Sequence, residues 1–423
     1  MDCSPFSKYS WLDFLFSVIG VCAYVFDVGS DMWVAKEFYC HGEFIWFGVL
    51  VGLMVLSSVV IQMFSWFWFK YDRDLENFEV NTAPEKFLFC GQRRVKVSCC
   101  LHVLQLGFFF RHLTAIWQGF RVWWRGQQGS EYAVYLVHDL SMLRLIETFC
   151  ESAPQLTLMA YIMLFTNQAR TIQCVSVVAS TTSIAWMVVD YHRSLRSFLP
   201  DKAKQAWASS VIYFLWNLLL IAPRVACVAL FTSVLSHYIA LHFLLVWPAL
   251  VLWAWRQRTD FMDSPAGERL YRATVGLIWY FSWFNVAEGS TRGRSVIYHS
   301  FMIADGAVLL VTWWHYRDIE LTQSYAVIMV LAVPVCYSLG LLLKTLYYCY
   351  FHPKLWRPQD KRGGKLEPDG SLPVTCMATS TQADAPAEPH NRRMARHARI
   401  FYTAGVDTSE MGQINRREGN NIV

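Results

Sequence analysis

The chain has 423 residues, of which 55% are hydrophobic and 16% charged, with 19 tryptophans and a mean hydropathy of +0.27. That much apolar surface exceeds what a soluble chain of this length needs for a core, and it points to lipid as the solvent. The net charge of +5 is modest, and no basic, aromatic-interleaved surface suggests nucleic acid as a partner.

Lys8 is the only basic side chain before Trp11, and the first apolar stretch contains Asp13 and Asp27, so it reads as an uncleaved span. Ten apolar segments lie at 11–35, 43–69, 95–117, 139–165, 172–190, 207–232, 236–255, 272–288, 296–314 and 324–350. Crossing the hydrocarbon core takes about 20 helical residues. Trp66, Trp68 and Tyr71, and later Trp253 and Trp255, fall at segment edges as interfacial belts do. Lysines and arginines gather in the loop from Lys70 to Lys96, in His192 to Lys204, in Arg256 to Arg272 and after Lys354, which places all four in the cytosol.

Three segments lie between Lys96 and Arg193, and three between Arg272 and Lys354, yet each set must begin and end on the same side. One member of each set is therefore expected to be re-entrant. The expected fold is an all-α polytopic membrane protein with eight transmembrane helices and two half-membrane (re-entrant) helices, in two parallel five-segment repeats. Residues 1–350 form the membrane domain, with both termini cytosolic. Residues 351–423, rich in proline, glycine and polar side chains, read as a mostly disordered cytosolic tail with one basic patch from Arg392 to Tyr402.

Ionisable residues recur inside the spans. From Asp13, the offsets to Asp27 and Asp31 are about −40° and 0° at 100° per residue, so the three carboxylates share one face. They cover about 27 Å, close to the thickness of the hydrocarbon core. Arg144, Glu147, Glu151 and Gln155 form a second stripe, in which Arg144 is expected to pair with Glu147. Pro154 interrupts that helix, so the segment from Asp139 reads as the first re-entrant helix or a broken span beside a hydrated cleft. Arg111, Asp190, Arg193, Arg224 and Asp305 lie at or inside other segment ends.

Asp13, Asp31, Arg111 and Arg193 are near enough to segment ends to snorkel to the interface. Asp27, Glu147, Glu151, Arg224 and Asp305 are not, and five unpaired charges at mid-membrane cost on the order of 12–17 kcal/mol. Two readings follow, a set of buried ion pairs and a polar track for something ionic or amphipathic. The track is preferred. Trp46, near the outer end of the second segment, is a belt tryptophan unless it faces the cleft, where it is a possible gate.

No P-loop, dinucleotide fingerprint, HExxH or nucleophile elbow occurs, so catalysis is not expected. The twelve cysteines include no CxxC pair, and neither a metal nor any other cofactor is expected. Cys40, in a short outer connection, is expected to be a free thiol, with pairing to a partner chain as the alternative. No N-x-S/T triplet occurs.

The run from Ser141 to Leu158, SMLRLIETFCESAPQLTL, resembles the signature of the XK-related family. So do Asp190-Tyr-His-Arg193, the run from Ser210 to Asn217, Thr259-Asp-Phe-Met262 and the run from Tyr280 to Gly289. Asn391-Arg-Arg-Met394 is similar to the apoptosis-linked, caspase-activated phospholipid scramblase branch. The resemblance implies calcium- and ATP-independent movement of phospholipids, phosphatidylserine included, between plasma-membrane leaflets once caspases cut the tail. It also implies eight spans with two half-membrane helices, and a single-span immunoglobulin-type chaperone of the basigin or neuroplastin kind. Among the tail aspartates, Asp369-Gly370 is the best caspase site, ahead of Asp384-Ala385 and Asp407-Thr408, although Leu366 stands where effector caspases favour an acidic residue. A solute transporter and a non-scrambling accessory subunit are the alternative functions.

Overall fold

The computed structural model describes residues 11–74, 92–125, 130–167, 171–197, 207–287 and 291–351. Regular structure among the described residues is helical throughout, as backbone without water partners requires in lipid. Seven of these helices are long and apolar enough to cross a membrane, which makes the chain an all-α polytopic membrane protein.

Helices α1 (Trp11–Cys40) and α2 (Phe44–Asp74) are joined at Gly42, whose φ of 77° suits a residue without a side chain. Segment 95–117 is not one helix. It divides into α3 (Gln92–Val103) and α4 (Gly107–Arg125) at a turn in which Gln105 adopts φ 62°. The turn is tied to α2, where Gln62 Nε2 donates to the Gln105 carbonyl at 2.9 Å and Ser58 Oγ to Gln105 Oε1 at 2.6 Å.

Segment 139–165 corrects the sequence expectation. Helices α5 (Ser130–Glu147) and α6 (Ala153–Phe165) are joined without a break by a π-helical turn, Thr148–Ser152. The path covers about 54 Å at 1.5 Å per residue. Pro154 falls in the first turn of α6, where its missing N–H costs least. Between Lys96 and Arg193 the interrupted element is therefore the α3–α4 hairpin.

Helix α7 (Thr171–Ser197) leads to α8 (Trp207–Val234), of whose span window 67% is buried against at most 33% for the other six. Helix α8 is thus the central post, packed by α6, α7, α11 (Thr291–Tyr316) and α12 (Ala326–Leu346). Gly340 permits the tightest of these approaches, because a Cβ there would lie 2.8 Å from Leu220 Cδ2 and 3.2 Å from the Leu219 carbonyl carbon. Trp68 is fully buried, so it is not a belt residue.

Between α9 (Tyr238–Arg256) and α11, α10 (Pro265–Phe281) has 17 residues and is shorter than any of the seven spanning helices. Ser264 caps it through Gly267 N at 3.1 Å. Glu268 fixes the preceding loop by accepting from Phe261 N at 3.0 Å, Met262 N at 2.8 Å and the Thr259 hydroxyl. After Phe281 the chain turns back in extended form. Trp279 Nε1 donates to the Phe284 carbonyl at 2.6 Å, and Arg294 Nη2 to that of Ala287 at 2.6 Å.

Candidate intramembrane polar site

The two stripes read from the sequence face one another. Gln155 Nε2 donates to Asp31 Oδ2 at 2.9 Å, across a sequence separation of 124. Gly20 and Arg144 share that separation, and a Cβ on Gly20 would meet Arg144 Nη1 at 2.7 Å. Two contacts at one offset, about 16 Å apart along each helix, mean that α1 runs parallel to α5–α6 and in step with it. The same register sets Asp27 opposite Glu151, where the charges of Asp31 and Asp27 bear on the Glu151 carboxylate. The backbone of α1 packs chiefly on α2 and α4, so it reaches α5–α6 through these polar side chains.

Asp31, Glu151 and Gln155 are each less than 10% exposed. Asp31 therefore turns inward and does not snorkel. Arg144 does not pair with Glu147 as expected. No ion pair within 4 Å joins Asp27, Asp31, Arg144, Glu147 or Glu151 to any described residue. The reason is geometric: Arg144 extends over the gap left by Gly20 while Glu147 stays half-buried at its own helix. Four acidic groups and one arginine thus share a region without neutralising contacts.

Aromatic rings accompany this region along α1. Tyr24, one turn before Asp27, stacks on His112 at 5.6 Å and meets Phe108 edge-on at 5.2 Å. Phe38, seven residues beyond Asp31 and so on the same face, meets Trp46 edge-on at 5.9 Å. Trp46 is half-buried there, above the far end of the carboxylate face.

The other predicted residues form separate groups. Arg111 is not at the interface either. Its Nη1 lies 3.3 Å from Asp139 Oδ2, its Nε donates to Ser65 Oγ at 3.0 Å, and the guanidinium carbon sits 5.9 Å from the Trp68 ring centre. Arg224 does not join Asp27 and Glu151 in one cleft. It binds Asp305 directly and donates through Nε to the Tyr280 carbonyl at 2.9 Å, while His242 Nε2 lies 2.9 Å from the other Asp305 oxygen. The two regions meet at Phe149 and Phe281, whose ring centres are 6.5 Å apart. Arg193 covers the Trp207 ring at 4.9 Å, and Asp190 is half-buried on α7. Asp13 lies in the first turn of α1, and Asp369 and Gly370 lie outside the described residues.

Sequence reasoning missed His242, Asp139 and Lys344. Lys344 is buried on α12, with Nζ 2.8 Å from both Ser295 Oγ and His299 Nε2 and between the faces of Trp216 and Trp283. It has no carboxylate partner among the described residues. As the one charged side chain in segment 324–350, it was visible in the sequence. Among the described residues no group of three or more His, Cys, Asp or Glu is placed to hold a metal.

The architecture is that of a multi-pass helical membrane protein with ionisable groups gathered inside its spans. The family model described as "XK-related protein" matches residues 15–353, and the chain belongs to the XK-related family. It is 63% identical over 405 residues to XK-related protein 8 of Gasterosteus aculeatus, covering 95% of this chain and all of that one. It is 65% identical over 398 residues to XK-related protein 8 of Tetraodon nigroviridis, covering 94% of this chain and 98% of that one. With XK-related protein 8 of Pan troglodytes it shares 39% identity over 411 residues, covering 94% of this chain and 96% of that one.

Proposed function

We propose that this chain is a phospholipid scramblase of the plasma membrane, with eight spans and cytosolic termini, activated when caspases remove its tail, residue Asp369 being the cleavage point. The observation that carries the reading is the in-step pairing of α1 with α5–α6, which sets four buried or half-buried carboxylates and one half-buried arginine together without ion pairs among the described residues. An intramembrane charge without a neutralising contact signals a path for polar cargo. Buried ion pairs account for Arg111 with Asp139 and for Arg224 with Asp305, and leave Asp27, Glu147 and Glu151 unexplained.

Scrambling needs a polar surface for the headgroup while acyl tails remain in oil, and no coupled energy source. The Asp27 and Asp31 face, which the sequence spacing extends to Asp13, and the Arg144 to Gln155 stripe supply such a surface. Trp46 on Phe38 closes one end as a gate, and Tyr24, packed on Phe108 and His112, lines the track between Gly20 and Asp27. The ion pairs hold the walls, with Asp190 and Arg193 at the end of α7. A single-span immunoglobulin-type chaperone accompanies the chain to the surface.

The test is reconstitution into vesicles carrying fluorescent phospholipid, before and after effector-caspase treatment. Lipid exchange is expected to rise after cleavage, and to fall at least tenfold in Asp27→Asn or Glu151→Gln with unchanged surface delivery. Asp369→Ala is expected to stay intact and inactive. Substrate-dependent solute flux without lipid movement would instead establish a transporter, and neither activity would leave an accessory subunit.

A further inference from the structure

Helix α3 has two sharply different sides. Ser98 and His102 turn toward α2: His102 Nδ1 lies 2.7 Å from the Ser98 carbonyl, and its Nε2 lies 3.0 Å from Ser65 Oγ. With the Gln105 turn also bonded to Gln62 and Ser58, the rotation of α3 about its axis is fixed. That rotation sends Cys99 and Cys100 outward, and both thiols are exposed. Four residues on, over the next helical turn, Val103 and Leu104 are 73% and 65% exposed. The outward face is thus two adjacent thiols followed by two bare aliphatic side chains. In sequence, Arg93, Arg94 and Lys96 stand just before them.

In sequence terms a basic run of this kind favours the edge of a leaflet, and Val103 and Leu104, bare on the helix, favour its acyl chains. Cys99 and Cys100 lie between the two, at the depth where a thiol borders both phases. The other described exposed cysteines lack this setting: Cys22 and Cys174 have no lysine or arginine within three residues, Cys40 follows Lys36 and Glu37 at the end of α1, and Cys349 is a single thiol between Tyr348 and Tyr350, five residues from Lys344 and from Lys354. Two exposed thiols on an apolar helical face behind a basic run match the requirements of S-acylation.

We propose that Cys99 and Cys100 are sites of S-acylation by a long-chain fatty acyl group, which tethers the α3–α4 hairpin to the leaflet that its basic end faces. The thiolate sulfur attacks the carbonyl carbon of a long-chain acyl-coenzyme A. A carbon–sulfur bond forms to cysteine as the one to coenzyme A breaks, and the proton lost by cysteine ends on the departing thiol. A membrane-bound acyltransferase presents the thioester. The proposal rests on the functional reading only for the side of the membrane, because acyl-coenzyme A is cytosolic, and its readout does not involve lipid exchange.

The experiment is hydroxylamine-dependent mass-tag exchange on the full chain expressed in animal cells, after blocking free thiols. The wild type is expected to gain two tags, Cys99→Ser and Cys100→Ser one each, and the double variant none, with Cys40→Ser and Cys22→Ser unchanged. A wild type without hydroxylamine-dependent tags overturns the proposal, as do tags that persist in the double variant. The single variants keep the test decisive if the double variant is degraded. Acylated cysteines alongside absent scrambling would leave this site standing and remove the functional reading.

Discussion

At the scale of single residues, the buried charges differ in what surrounds them, and their substitutions should differ accordingly. Asp305 accepts from Arg224 and faces His242. Removing one partner of a buried pair leaves the other charge uncompensated, at a cost of about 3–5 kcal/mol. Asp305→Leu is therefore expected to lower the midpoint of thermal unfolding in detergent by several degrees. Lys344→Met is expected to leave that midpoint unchanged or raise it, since no carboxylate is orphaned and Trp216 and Trp283 already form an apolar sleeve. Size-exclusion chromatography after a heat step reads both outcomes. The inward turn of Asp31 and Arg111 was not legible in the sequence, because a charge near a segment end can equally reach water. The shared face of Asp27 and Asp31 was legible, since it needs only helical geometry.

At the scale of elements, hydropathy located the apolar segments and could not see where one of them folds back. The turn from Leu104 to Leu106 is apolar at two of its three positions, so it scores like helix. Its conformation depends on Gln62 and Ser58 of α2, more than forty residues away in sequence. The proline at 154 misled in the opposite direction, because beside a π-helical turn it starts a new helical run without a break. Thr259-Asp-Phe-Met262 was noticed only as a family motif, and its physical role is to offer two backbone N–H groups and a hydroxyl to Glu268. Glu268→Ala leaves those donors unpaired, at about 1–3 kcal/mol for each amide left dry. Hydrogen exchange at Phe261 and Met262 is expected to accelerate by at least tenfold, while α8 stays protected.

At the scale of the whole molecule, seven helices among the described residues qualify as spans by length and hydropathy. The continuous path from Ser130 to Phe165 is long enough to add an eighth, with α3–α4 and α10 as the interrupted elements. With eight spans, the end of α2 and the end of α12 are expected on one side, the side expected for the basic loops. Epitope tags within 75–91 and after Lys354 are expected to stain only after permeabilisation, and a tag at Gly42 without it. Surface staining of either inner tag overturns the topology. The parity of basic loops was readable because charge sets orientation. The pairing of α1 with α5–α6 was not, because nothing local in either stripe specifies its partner.

The π-helical turn at Thr148–Ser152 carries one residue more than α-helical winding would use. It therefore acts as a phase shifter: the helix before it and the helix after it present their contact faces at angles that uninterrupted winding could not combine. Helix α5 meets α7 and α2 in its own phase, and α6 meets α8 in another. If all five residues wound as regular α-helix, α6 would rotate by roughly 90° relative to α5, and Gln155 would leave Asp31 while Leu156 would leave the core. Removing one residue from the turn takes away the surplus and keeps the two helices in phase. A one-residue deletion between Thr148 and Ser152 is therefore expected to lower thermal stability in detergent less than a one-residue deletion in the middle of α5 or α6. The turn marks a seam at which the chain can gain or lose one residue while the helices on either side keep their partners.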